Sequence, residues 1–247
     1  MVLHVIGTGS GGNAYLLKDG DNALLLDAGL PLLRIVRSMR TLNGLQGCIV
    51  THEHGDHAQA AKELASWGID VYATIGTLNA ADIPISTPRV NAVEYLQPVN
   101  IGAFTVLPIP VQHDAAQPCG YIIRANTTGE TLLYATDTYY LRNTYPNIHY
   151  WLVECNYCDD IAKQQLDSGE IPEAMRNRLL GSHMSLRHLI DTLAANDLTQ
   201  TRKIILCHLS DGRSDERRMV AEITAATGIE TIAASNGMVI DLNLAPF

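Results

Sequence analysis

The residues Thr51-His52-Glu53-His54-Gly55-Asp56-His57 place three imidazoles and two carboxylates side by side. Neutral imidazole is a ligand for zinc, iron and nickel, and carboxylate extends the choice to manganese and magnesium. A divalent ion held by such a set lowers the pKa of bound water and makes it a nucleophile near neutral pH. A surface loop seldom gathers three of a chain's nine histidines in this way. The cluster therefore reads as part of the metal centre of a hydrolase.

Such convergence needs an element boundary, because a regular strand sends alternate side chains to opposite faces. Residues 47–50 read as a short buried strand that runs into the cluster, and 58–67 as the helix that leaves it, ended near Gly68. Upstream, 3–6, 14–17 and 23–27 are apolar strand patterns, with a hairpin turn at 18–22 where Asp19-Gly20 suits positive φ. Pro31 opens a helical pattern through Leu42, with Leu32, Leu33, Val36, Met39 and Arg40 at helical spacing. Downstream, 104–111 is a strand with a kink or an edge, marked by Pro108 and Pro110. Residues 121–124 and 131–135 read as a hairpin, and 151–154, 203–207 and 238–242 as strands. Residues 159–180, the stretch from Ser185, and 214–226 read as helices. Strands with a few helices, then helices alternating with strands, predict an α/β protein, an αββα sandwich of two mixed sheets flanked by helices, as one domain over 1–247.

The 247 residues suffice for a full core, and 47% hydrophobic against 17% charged residues marks a globular chain. A net charge of −9 argues against loose, charge-driven binding to nucleic acid, although bound metal can supply positive charge locally. There is no long apolar run and no signal-like start, so no membrane partner is expected, and the odd, scattered cysteines make a cytoplasmic location the expectation. The five cysteines, at 48, 119, 155, 158 and 207, do not form a disulfide framework, and Cys155-x-x-Cys158 reads as two ordinary thiols. Gly7-x-Gly9-x-x-Gly12 follows a strand, but the next residues are again strand-like, so it is not a dinucleotide fingerprint. It reads as a tight loop whose amides can face an anion.

His52-x-His54-x-Asp56-His57 resembles the signature of the metallo-β-lactamase fold superfamily. The resemblance implies three further ligands, each after a strand: His113 in "PVQHDAAQPCGYII", Asp137 in "LLYATDT" and His208 in "IILCHLSDGRSD". It implies that His52, His54 and His113 hold one ion, that Asp56, His57 and His208 hold a second, and that Asp137 bridges them. Together with "GTGSGGNAYLL", "ECNY" and "GSHMSLRHL", these segments resemble the YycJ/WalJ-type branch, related to tRNase Z-like phosphodiesterases. That likeness implies a 5′-to-3′ DNA exonuclease with two divalent ions (zinc or manganese, with iron a further candidate) and a metal-bridging hydroxide oriented by Asp56. It also implies that His183, oriented by Glu154, protonates or steadies the leaving oxygen. The acidic charge keeps open a small cyclic nucleotide as substrate, and other members of the fold keep open thioester or lactone hydrolysis. A redox-active diiron protein would need carboxylate in place of a ligand histidine, which the sequence does not show. A homodimer stays open.

Overall fold

The computed structural model describes residues 1–39, 41–170 and 181–242. In chain order the elements are β1 (Val2–Gly7), β2 (Ala14–Asp19), β3 (Asn22–Leu26), α1 (Leu32–Met39), β4 (Leu45–Ile49), α2 (Gly55–Ala58), α3 (Ala61–Ser66), β5 (Val71–Thr74), α4 (Ile75–Ala80), β6 (Val90–Val93), β7 (Val99–Ile101), β8 (Phe104–Pro110), β9 (Cys119–Ala125) and β10 (Thr131–Ala135). They continue as β11 (Tyr150–Glu154), α5 (Asp159–Asp167), α6 (Leu186–Ala194), β12 (Lys203–Cys207), α7 (Glu216–Thr227), β13 (Glu230–Ala233) and β14 (Val239–Asp241). Among the described residues the strands form two seven-stranded mixed sheets, β14-β1-β2-β3-β4-β5-β6 and β13-β12-β11-β10-β9-β8-β7. This is the expected fold class. Among the described residues, no helix is long and apolar enough to cross a membrane.

The contacts divide the chain into two compact units. One comprises Met1–Pro110, Ala115–Thr131 and the segment from Ala234 onward; the other comprises Val111–Asp114 and Leu132–Ala233. In the first unit, β1, β2 and β3 pair antiparallel, and β3 through β6 pair parallel. Parallel neighbours require crossovers, which α1, α3 and α4 provide. Their apolar faces join a core that includes Leu16, Leu25, Ile35, Leu64 and Leu78. In the second unit β10 through β13 are all parallel. Trp151-Leu152-Val153 and Ile204-Ile205-Leu206 are fully buried, the continuous apolar runs expected of strands covered on both faces. Open parallel sheets present their functional loops at the carboxyl ends of the strands. Thr51–His57 follows β4, Asp137 follows β10, Glu154 ends β11 and His208 follows β12.

Several elements differ from the sequence reading. The helix read over 58–67 is two short helices, α2 and α3, and the first begins inside the histidine cluster, at Gly55. Strand β13 escaped notice because Glu230-Thr231-Ile232-Ala233 is short and only half apolar. The Pro108 and Pro110 strand is flanked by β7 and β9, but β7 pairs it only through Val106, so both prolines lie beyond the reach of β7. Arg40 and residues 171–180 of the segment read as helical lie outside the described residues.

The glycine-rich loop is a packing device. Its chain continues into β2, as the rejection of a dinucleotide site requires. Three of its amides are engaged within the chain: Thr8 N–H donates to Asn236 Oδ1, Gly9 N–H to Asn13 Oδ1 and Gly12 N–H to the Gly9 carbonyl. A Cβ on Gly12, where φ is +123°, would collide with the Gly29 carbonyl, and one on Gly29 would fall on the Asp56 carbonyl. Only glycine lets the Gly12 backbone approach Gly29, and the Gly29 backbone approach Asp56, so closely. Gly11 lies in open space. In urea unfolding, Gly12→Ala is expected to lose about 1–3 kcal/mol or more, whereas Gly11→Ala stays within about 0.5 kcal/mol of wild type.

Candidate metal centre

In the first unit one buried carboxylate organises the histidine cluster. Asp27 follows β3 with φ 58°, a left-handed conformation that aspartate tolerates better than most residues. Its Oδ1 accepts the Thr51 N–H at 2.7 Å, and both its oxygens lie 3.0 Å from the Thr51 hydroxyl. Its Oδ2 accepts from His57 Nδ1 at 2.7 Å. Since the Thr51 hydroxyl donates to Asp27, its oxygen is left to accept from His52 Nδ1, 3.0 Å away. Both histidines are thereby fixed with the proton on Nδ1 and the lone pair on Nε2, the arrangement a metal requires.

A second contact agrees with that tautomer. Asn13 is fully buried, and its side-chain oxygen accepts from Gly9 N–H and from the Tyr15 hydroxyl, which orients the amide. Its Nδ2 then donates towards His57 Nε2 at 3.1 Å. His52 Nε2 and His54 Nδ1 stand 3.1 Å apart. Two nitrogens on one tetrahedral zinc, with bonds of ~2.0–2.1 Å, would be separated by about 3.3–3.4 Å. The donor set therefore suits a divalent ion. Asp56 Oδ2 lies 3.5 Å from His57 Nε2, and Asp56 is the more solvent-accessible of the two. Glu53 points elsewhere: its Oε1 accepts the Ala116 N–H at 2.7 Å.

The second unit repeats the logic with Glu154, which is fully buried. Its Oε2 accepts the N–H groups of Thr138 and Met184, each at 3.0 Å. Its Oε1 accepts from His183 Nδ1 at 2.6 Å and from His208 Nδ1 at 3.0 Å. His208, with φ 52°, therefore presents Nε2. His113 donates through Nδ1 to the Ser182 carbonyl at 2.9 Å, so it too presents Nε2, 3.8 Å from Asp137 Oδ2. Asp137 has φ 48°, and its Oδ1 accepts the Thr136 hydroxyl at 2.8 Å. Asp137, Glu154, His183 and His208 can bring one donor atom each within 4.8 Å of one another. The His183 ring stacks on that of His208, with centroids 5.3 Å apart. Asn156 holds the same turn, donating to the His208 carbonyl at 2.8 Å.

Electrostatics separates His183 from its neighbours. Burial alone would depress its pKa, but the charge of Glu154 and the hydrogen bond to it outweigh burial and raise it above the ordinary value. Burial would raise Glu154, yet the His183 charge and the two imidazole hydrogen bonds hold it low. For His113 burial prevails over the attraction of Asp137, and its pKa is lowered. A ligand histidine should be neutral, while a proton donor should be charged near neutrality.

The seven candidate ligands read from sequence thus follow strand ends, four in the first unit (Asp56 and His57 within α2) and three in the second, and Glu154 accepts a hydrogen bond from His183. Asp27, Thr51 and Asn13 were not given roles from sequence. The signal for Asp27 was an aspartate ending the apolar run "ALLLD".

The Glu154–His183 pair makes stability depend on pH with a definite sign. The raised His183 pKa contributes stability that is full below ~6.5, the ordinary histidine value, and is lost as pH rises through the folded value. The lowered Glu154 pKa contributes stability present above ~4.3, the ordinary glutamate value, and lost as pH falls through the folded value. In NMR titration of the metal-free protein, His183 is expected to titrate above ordinary histidine in the wild type and to fall in Glu154→Gln. An unchanged His183 titration would contradict the pairing.

Residues 22–209 match the model of the beta-lactamase superfamily domain. The chain is 26% identical over 257 aligned residues to exodeoxyribonuclease WalJ of Streptococcus pneumoniae serotype 2, covering 97% of this chain and 91% of that protein. It is 29% identical over 228 residues to exodeoxyribonuclease YycJ of Bacillus anthracis, covering 85% and 83% of the two. Among solved structures, the metallo-beta-lactamase fold protein YhfI from Bacillus subtilis superposes with a TM-score of 0.76 at 19% identity, covering 97% of this chain and 99% of that one. With most of its length matched by the domain model, the chain belongs to the beta-lactamase superfamily.

Proposed function

We propose that this protein is a dinuclear metal-dependent phosphodiesterase that degrades DNA from a 5′ end. That it is a metal-dependent hydrolase rests on the family and on the relatives named as exodeoxyribonucleases. The reading towards phosphodiester cleavage is carried by one observation: a buried carboxylate accepts from His183 Nδ1 at 2.6 Å and raises its pKa, beside the ligand-type His208.

The ligand assignment follows the family pattern, with His52, His54 and His113 for one ion, Asp56, His57 and His208 for the other, and Asp137 shared. The structure contributes the tautomers: the Nδ1 atoms of His52, His57, His113 and His208 face acceptors within the protein, which leaves Nε2 to bind. Bound divalent ions would lower the pKa of a water and offset phosphate charge. The protein's own groups supply the rest. Asp56 orients the attacking water through its carboxylate, and His183 delivers the proton on Nε2 to the leaving oxygen as Glu154 holds Nδ1. The odd, scattered thiols are the basis for placing the protein in the cytoplasm.

At matched metal content, Asp56→Ala should show no turnover of 5′-labelled DNA in manganese or zinc. His183→Ala should lose about 10²–10⁴-fold on DNA, and much less on bis-p-nitrophenyl phosphate, whose leaving group needs no proton. Wild-type turnover of DNA by Asp56→Ala would refute the assignment. Preference for cyclic nucleotides over DNA in the same assay would move the substrate to a small diester.

A further inference from the structure

An acidic chain with 17 basic against 26 acidic side chains gains little from phosphate neutralisation. If its substrate is a polynucleotide, uncharged contacts must contribute to holding the strand. Aromatic stacking is the uncharged contact that every base can make.

Among the described residues, the second unit exposes one large aromatic side chain on a site loop. Tyr140 is 46% exposed, and it lies three residues beyond Asp137. Three residues of chain span at most ~11 Å, equivalent to about three nucleotides of stacked strand at ~3.4 Å each. The backbone that carries it is fixed. Thr138 N–H donates to Glu154 Oε2 at 3.0 Å, and the Thr138 hydroxyl donates to the Tyr140 carbonyl at 2.9 Å. Gln112 N–H donates to the same hydroxyl oxygen at 3.0 Å, and Tyr139 N–H donates to the Gln112 carbonyl at 3.1 Å. Leu141, only 3% exposed, anchors the next position in the core, and Arg142 beyond it is again exposed. Exposing a phenol ring on a braced turn forgoes burial of a large apolar surface, and an aromatic with a guanidinium two residues on is a pairing suited to a base and its phosphate.

We infer that Tyr140 is a base-stacking subsite: its ring receives a nucleobase within about three nucleotides of the scissile phosphate, and Arg142 lies against the adjoining backbone. This rests on the nuclease reading above, and it makes Tyr140 a binding residue that positions the strand.

The test uses the protein as isolated and phosphorothioate-linked single-stranded oligonucleotides that resist cleavage, read by fluorescence anisotropy. One oligonucleotide carries ordinary bases, and the other is abasic at its three terminal positions at each end. Wild type is expected to bind the base-bearing strand about tenfold more tightly. Tyr140→Ala should bind both equally, while Tyr140→Phe and Tyr140→Trp keep the discrimination. Discrimination by Tyr140→Ala equal to that of wild type overturns the inference and leaves the nuclease reading standing. Absence of DNA binding and of DNA cleavage by wild type overturns both.

Discussion

The hydrogen bonds that two buried carboxylates accept from imidazole Nδ1 atoms are the constraint on which the rest of the site depends. A histidine offered to a metal has two nitrogens, and the bond made by one decides the state of the other. Asp27 fixes His57 directly and His52 through Thr51; Glu154 fixes His183 and His208. Buried carboxylates are costly unless fully bonded. Each of these takes backbone N–H donors as well as imidazoles, so ligand geometry and local folding are coupled.

The fold delivers the polar side chains of the site where strands end. Asp27, Asp137 and His208 take positive φ at or just past the ends of β3, β10 and β12. Left-handed non-glycine residues cost about 1–3 kcal/mol each and persist where the surroundings over-determine them. Here the surroundings are the hydrogen bonds just described. The glycine-rich loop plays the complementary part: the Gly12 backbone presses against Gly29, whose own backbone lies against the Asp56 carbonyl. Glycines that resemble a phosphate-binding motif thus serve close packing.

Much of this was legible in the sequence because it is local. The histidine cluster and the strands around it announce themselves by residue type and apolar runs, while His113, Asp137 and His208 were picked out by resemblance to the superfamily pattern. The Glu154–His183 pair was reached by resemblance, since nothing in two residues 29 positions apart signals a 2.6 Å bond. Asp27 and Asn13 stayed hidden for the same reason: their roles are hydrogen bonds to His57, which lies 30 and 44 positions away. The break between α2 and α3 was missed because the helical pattern of 58–67 continues across it, while the cluster itself supplies the first turn. Tyr140 carries no motif; only its exposure beside a braced turn distinguishes it.

The central claim is that buried carboxylates set the imidazoles for metal, and Asp27→Asn tests it most directly. Zinc and manganese affinities of wild type and variant would be measured by competition with a chromophoric chelator, on protein shown by circular dichroism to be folded. The account predicts a loss of about 10–100-fold, because an amide at position 27 cannot accept from Thr51 and His57 as the carboxylate does. A folded Asp27→Asn protein that binds metal as tightly as wild type would contradict it.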